Sequence, residues 1–291
     1  METRKIARKT VNGLTAFGDF IICILRLLLF EDLKNYFINK ERNKPLAVLA
    51  NGPSLNNSLE CLILSNEYKA LDFATVNFMP NDDRFYLLKP KYHVISDPMF
   101  YNNDSQKERV ELMFSNLNKK VDWNLVMYVA YNFWKDKKWC KKIENSNIQL
   151  LPLHIPNPPQ NKRLTMFLVK RGLMGADFGS VLHHAINIGL MSGYNKLFLY
   201  GADHTFFEGL CVDNENRVCK ITKHFYDNNE EVKPIYYYWT GQQVPYTMSW
   251  FLYEYMRVFR GHEILRMVAD EIGVEIINKT PISMIDSYKR A

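Results

Sequence analysis

Short apolar runs closed by turn residues recur along the chain. Residues 46–50, Leu-Ala-Val-Leu-Ala, end in Asn51-Gly52-Pro53-Ser54-Leu55, a turn that opens a helix. Residues 72–77, 92–97, 125–129, 196–201 and 274–278 repeat the pattern. Runs this short, apolar and bounded by turns read as strands buried on both faces, as in a parallel sheet. Apolar residues fall at helical spacing over 179–193, with Gly193 where a C-cap is wanted, and again over 247–272. Strands alternating with helices predict an α/β fold over residues 45–291: a Rossmann-like, mainly parallel sheet with helices on both faces. The chain has no internal repeat and no low-complexity segment.

Residues 1–44 follow another pattern. Lys5, Arg8 and Lys9 precede Phe17, Phe20, Ile21, Ile22, Ile24 and Leu25, then Leu27-Leu28-Leu29-Phe30, and only Asp19 and Arg26 interrupt 13–30. A spanning helix needs about 20 mostly apolar residues, and a charge near its middle costs a few kcal/mol. Leu-Leu-Leu-Phe-Glu-Asp offers no signal-peptide cleavage site. The expectation is a basic amphipathic helix in the membrane interface, with packing on the body or on a partner subunit as the competing outcome. That places the chain in the cytoplasm, peripheral at the inner face of a membrane.

Charge sharpens this picture. Nine Lys and Arg against five Asp and Glu in residues 1–44 carry +4 of the net +6, leaving only +2 for the body. So dilute an excess excludes a nucleic-acid-binding body, which needs a clustered basic stripe. A chain 47% hydrophobic and 14% aromatic can bury a large core, and 23% charge with 13 Gly and 12 Pro excludes disorder and collagen-like repeats. Five cysteines without a C-x-x-C pair exclude a disulfide scaffold and a tetrahedral zinc site and suit an intracellular chain.

Ligands of such sheets bind at the carboxyl ends of the strands. Five strands deliver polar groups there: Asn51 and Ser54, Asn77, Asp97, Asp203 with His204, and Asn278 with Thr280. Each alone is ordinary turn chemistry; together they predict a binding edge. Gly52 would let the backbone approach a ligand closely, Pro53 removes a donor at the helix start, and free amides with the Ser54 hydroxyl could meet a phosphate. A second Gly-rich turn, 172–179, precedes Ser180. Residues 205–249 are polar, aromatic and nearly aperiodic, with Phe206, Phe207, Phe225, Tyr226 and Tyr236-Tyr237-Tyr238-Trp239 among Asp213, Asn214, Asn216 and Asp227-Asn228-Asn229. That composition predicts an irregular aromatic lid suited to a sugar, with a small satellite core as the competing outcome.

Asn51-Gly52-Pro53-Ser54-Leu55, the Asn77 turn, Gly201-Ala202-Asp203 after a Gly-Ser-Val helix start, and Thr280-Pro281-Ile282-Ser283 occur together and in order. Over residues 45–290 this resembles the bacterial sialyltransferases of glycosyltransferase family 42. It is similar also to the related motility-associated-factor and 6-hydroxymethylpterin pyrophosphokinase MptE-like proteins. The sialyltransferase resemblance implies transfer of a CMP-activated, sialic-acid-like sugar, without cofactor or metal, to a surface glycan or glycolipid precursor. It implies Asn51, Gly52 and Ser54 at the phosphate and ribose, Asn77 at the sugar or base, and Ser180 as a further donor contact. Pro53, Asp97, Gly179, Asp203, Thr280 and Ser283 complete the expected donor set. A histidine would be the general base; His224 in the lid, His262 and His204 compete for that role, while His183 and His184 read as packing residues.

Two positions depart from the sialyltransferase pattern. Asp97 stands where those enzymes carry an asparagine, and a carboxylate repels a phosphate unless a cation intervenes. Asp97 with Asp203 could hold Mg²⁺, as in an MptE-like diphosphokinase acting on a small molecule. Arg171 stands too early to match the arginine before the central helix. A nucleotide-binding protein without turnover is the third possibility.

Overall fold

The computed structural model describes residues 2–102, 106–174, 179–223, 230–237 and 244–291. The chain runs α1 (Glu2–Phe30), β1 (Leu46–Leu49), α2 (Leu55–Leu64), β2 (Asp72–Val76), α3 (Arg84–Leu88), β3 (Tyr92–Ile95), α4 (Met99–Asn102) and α5 (Lys107–Lys120). It continues through β4 (Leu125–Ala130), α6 (Tyr131–Lys135), α7 (Lys137–Cys140), β5 (Ile148–Leu153), α8 (Lys162–Lys170), α9 (Val181–Met191) and β6 (Lys196–Tyr200). Strands β7 (Leu210–Val212), β8 (Val218–Lys223) and β9 (Glu230–Pro234) precede α10 (Met248–Ile272), β10 (Glu275–Asn278) and β11 (Lys289–Arg290).

Eight strands form one sheet in the order β11-β10-β6-β1-β2-β3-β4-β5, every pair parallel. The two-residue period of a strand sends alternate side chains to two cores. Leu46 and Val48 of β1, with Leu197 and Leu199 of β6, join the core under α8, α9 and α10. Ala47 and Leu49 face the opposite core with α2 and α5. Helix α9 is buried from Leu182 to Leu190; a Cβ on Gly189 would lie 2.7 Å from Leu197 and 2.8 Å from Leu46, so glycine lets the helix lie directly on the sheet. The chain adds strands β1 to β5 on one side, then returns to place β6 beside β1. That reversal puts a crevice at the carboxyl ends of β1 and β6. The reading of the sequence missed β5, whose Pro152 is tolerated because β5 is an edge strand.

The 205–249 segment corrects an expectation: its described part is not irregular. β7, β8 and β9 form a three-stranded antiparallel sheet. Polar residues expected to face a sugar instead make its turn. Asn216 takes φ 58°, and the Asp213 carboxylate accepts from the Glu215 amide, the Arg217 amide and the Arg217 guanidinium at 3.0, 2.9 and 2.8 Å. Phe206 stacks on Tyr255 and Phe207 on Phe259, both of α10, so these aromatics form a satellite core. Phe225, Tyr226, Asp227, Asn228, Asn229, Tyr238 and Trp239 lie outside the described residues.

Helix α1 is attached along one stripe. Ala16, Cys23 and Leu27 are buried, and Phe20 and Ile24 pack against the first core. Phe17, Ile22, Leu25, Leu28, Leu29 and Phe30 are each at least half exposed. The stretch Gly13–Phe30 has mean hydropathy 2.0 with 17% of it buried, and is long and apolar enough to cross a membrane by length and composition. Its end is pinned by buried His154, whose Nδ1 lies 2.7 Å from Glu31 Oε2 and whose Nε2 lies 2.8 Å from the Lys34 carbonyl. Asp32 lies 3.5 Å away, and Tyr36 and Tyr131 pack on the ring.

Burial opposes the charge on His154, but the Glu31 hydrogen bond and the charges of Glu31 and Asp32 outweigh it, so its pKa lies above the ordinary 6.5. A raised folded-state pKa gives stability that is complete below the unfolded value and lost as pH climbs through the folded one. The stability difference between wild type and His154→Gln should therefore shrink as pH rises above about 6.5, measured as urea midpoints across that range. A difference independent of pH would show that the pair does not titrate as a unit.

Candidate functional site

The carboxyl ends of β1 and β6 meet through one carboxylate. Asp203, 6% exposed, accepts from the Ser54 hydroxyl at 2.8 Å and the Ser54 amide at 3.2 Å. The Gly52 amide donates to the Gly201 carbonyl at 2.8 Å. A Cβ on Gly52 would stand 1.9 Å from Asp203 Oδ2 and 2.4 Å from the Gly201 oxygen. Glycine is required here for a close approach to Asp203, not to a ligand. The Ser54 hydroxyl expected at a phosphate is likewise already committed.

Thr280 and Ser283 complete the same frame. Thr280 Oγ1 accepts from the Ala202 amide at 2.9 Å, and the Ser283 hydroxyl donates to the Ala202 carbonyl at 2.6 Å while accepting from Asn278. Gly52, Ser54, Asp203, Thr280 and Ser283 are thus brought together, but bonded into the protein. Ser180 caps α9, its hydroxyl accepting from the Leu182 amide at 3.3 Å, and Gly179 before it takes φ 81°. Neither lines the cleft described next, and residues 175–178 of that Gly-rich turn lie outside the described residues.

With β1 and β6 pinned together, the open space lies over β1 to β4, a cleft of about 1310 Å³. Asn51, Gly52, Pro53, Asn77 and Asp97, all named from the sequence, line it. Asn77 takes φ 51°, a left-handed turn that asparagine tolerates. Its Oδ1 is buried and has no hydrogen-bond partner among the described residues, a costly state for a polar atom. Asp97 Oδ1 accepts from the Met99 amide at 2.9 Å, and burial raises its pKa above the usual carboxylate value despite that bond.

The cleft also holds residues that the sequence reading missed: Asn56, Arg84, Arg109, Asn132 and the rings of Phe78, Tyr101 and Phe133. Arg84 is paired with Asp82 and donates to Asn56 Oδ1 at 2.8 Å. The Arg109 guanidinium stands 4.0 Å from the Phe78 ring centroid, and among the described residues it has no carboxylate partner. On a polar, exposed helix such an arginine reads as solvated surface, and nothing local marks it. Arg171 lies over Phe167, away from this cleft.

Among the described residues, no group of three or more His, Cys, Asp or Glu could hold a metal ion. The pairing of Asp97 with Asp203 around Mg²⁺ does not fit, because Asp203 is bonded to Ser54 and does not line the cleft.

The histidines divide in the same way. His262 is fully buried, with Nδ1 3.0 Å from the Tyr288 hydroxyl and Nε2 3.0 Å from His204 Nε2. Both nitrogens are engaged inside the protein, so His262 cannot itself take a proton from an acceptor; this corrects its place among the candidate bases. His183 packs edge-on against it at 4.3 Å, and burial holds both pKa values well below 6.5. His204, at φ 51° after β6, is lowered to about 4 by burial and does not line the cleft. His224 lies outside the described residues.

No family model matches the chain, and no curated protein matches it. Among solved structures it is similar to the MAf glycosyltransferase from Magnetospirillum magneticum AMB-1, with a TM-score of 0.46 and 11% identity. That similarity covers 89% of this chain and 35% of the other, so the chain spans about a third of that structure's length.

The frame around Asp203 yields a stability prediction. Asp203→Asn should cost about 1.5–3 kcal/mol, the range for hydrogen bonds to a charged group, and Gly52→Ala about 1–3 kcal/mol from overpacking. Urea denaturation of both variants checks this; losses near zero would show that the frame does not depend on the carboxylate.

Proposed function

We propose that the chain is a glycosyltransferase that takes a nucleotide-activated sugar in the cleft over β1–β4 and serves an acceptor at a membrane surface. The observation that carries this reading is the unpartnered, buried Asn77 oxygen in the wall of that cleft. The Asn77 side chain lies in that wall, and a base or sugar N–H or O–H would satisfy its oxygen once the side chain turns into the cleft. Tyr101, stacked on Phe133 by one face, offers the other to a base, and Arg109, lying over Phe78, offers a cation for the phosphate. The motif resemblance in the sequence supports a CMP-activated donor. The volume exceeds the usual range of about 300–1,000 Å³ for one small ligand and leaves room for an acceptor.

In this reading the acceptor hydroxyl oxygen attacks the anomeric carbon, and the bond from that carbon to the phosphate oxygen breaks. The electron pair leaves on the nucleotide phosphate, whose charge Arg109 offsets. The hydroxyl proton goes to Asp97, the carboxylate in the cleft that has no cation partner among the described residues. This assignment replaces the histidine expected from the resemblance. Burial makes Asp97 a stronger base than an exposed aspartate.

A thermal-shift panel of CMP, CDP, UDP, GDP and ATP, with and without Mg²⁺, tests the donor site. CMP should stabilise without metal, by about 2.7 kcal/mol at 100 times its Kd. Arg109→Ala and Asn77→Ala should each weaken it about tenfold, the worth of one good polar contact. Stabilisation by ATP only with Mg²⁺ would favour diphosphoryl transfer with Asp97 at a metal. Failure of every nucleotide would sink the donor site. With a donor identified, Asp97→Asn should retain nucleotide binding and lose about 10²–10⁴ in kcat; the same loss in His224→Asn but not in Asp97→Asn would return the base to His224.

The membrane part of the proposal rests on the exposed apolar face of α1 and its basic start. The intact chain should co-sediment with anionic phospholipid vesicles. Replacing Lys5, Arg8 and Lys9 with glutamine should weaken this by about 1 kcal/mol per charge, and full solubility beside vesicles would exclude it.

A further inference from the structure

A second hollow of about 820 Å³ adjoins the cleft. Ile22, Leu25 and Leu29 of α1 form one wall, and Ala130, Tyr131 and Ile155 form the other. Positions 22, 25 and 29 share one helix face by their spacing. Pro98, Asn132 and Phe133 line both the hollow and the cleft, so the two spaces share a partition. Most of the lining is apolar, with Arg26, Glu31, Ser96, Asn132 and Asn157 as its polar members. Of these, Glu31 is bonded to His154. Arg26 lines it with an exposed side chain that makes no ion pair among the described residues.

Arg26 interrupts the apolar residues of this helix, and its charge is most favourable where it meets an anion. Here it stands in the groove that leads toward Asn132 and the cleft. We propose that this groove binds the acceptor, and that the acceptor is a sugar carried on a lipid phosphate: its apolar chain lies between α1 and the Tyr131–Ile155 wall, its phosphate meets Arg26, and a hydroxyl of its sugar is the nucleophile. The inference rests on the glycosyltransferase reading and narrows its acceptor to the lipid-linked class. The groove's open side carries the same exposed face of α1 that would meet a bilayer. A lipid-linked substrate can then enter sideways while its head reaches past Asn132 toward Asp97.

Dodecyl phosphate below its critical micelle concentration is the probe, titrated against the intact chain by fluorescence of Trp134, whose ring packs on Tyr131. It should bind at least about tenfold tighter than dodecanol or inorganic phosphate. Arg26→Gln and Leu29→Asp should each weaken it about tenfold; both side chains are exposed, so folding is not at risk. Phe17→Asp, on the exposed face outside the groove, should leave binding unchanged. Binding insensitive to Arg26→Gln and Leu29→Asp overturns the proposal. So does equal loss in Phe17→Asp, which would mean that the helix merely enters lipid aggregates. A dimer that excludes the probe and dissociates on Leu29→Asp would also overturn it, giving the groove to a second copy. The CMP thermal shift, run on the same proteins, separates the two readings. An intact shift without probe binding removes the groove and leaves the transferase; probe binding without any nucleotide shift removes the transferase and leaves a lipid-phosphate site.

Discussion

The Asp203 carboxylate decides the layout of the binding edge. It reaches from the end of β6 to the Ser54 hydroxyl and amide, in the place where an open Rossmann-like sheet would admit a ligand phosphate. A negative charge at that helix start is favourable, and satisfying it from within the protein closes the point where the strand order reverses. Space then remains to one side, over β1 to β4. Thr280 and Ser283 hold the amide and the carbonyl of Ala202, the residue before Asp203, so the frame is fastened from the segment after β10 as well. The cleft beside it is lined by the exposed Arg109 and by Asn77.

The second organising contact is weaker and more local. Helix α1 buries a narrow stripe and exposes most of its apolar surface, so packing alone holds it loosely. Glu31 and His154 fix its end next to the loops after β3, β4 and β5. Because that end is fixed, an apolar surface that could have pointed anywhere borders the cleft. Under the proposed function this adjacency has a use: the chain of an amphiphilic acceptor would stay out of water while its head reached a polar site.

Much of the sheet was legible because strand burial is a local pattern. Residues 46–49, 72–76, 92–95 and 196–200 are apolar runs ended by turns, and a two-sided parallel sheet demands that composition. The lid was misread for an equally physical reason. Asp213, Asn214 and Asn216 look the same in a sugar-binding loop as in a hairpin turn, and only the Arg217 partner distinguishes the two. Pro152 disguised β5, which tolerates it at the sheet edge. Arg109 was invisible, since a charged residue on an exposed helix face carries no mark of what stands opposite it.

By itself the sequence determined the strand ends, and therefore that Asn51, Asn77, Asp97 and Asp203 share one edge of one sheet. Strand direction and period follow from near neighbours along the chain. Only the tertiary structure decided which of those groups face the open cleft. Ser54 and Asp203 are 149 residues apart and satisfy each other; His262 and His204, 58 apart, do the same. Asn77, with an equally ordinary side chain, is left with an empty oxygen. A polar atom's availability depends on whether a partner arrives from elsewhere in the chain, and that is settled by packing.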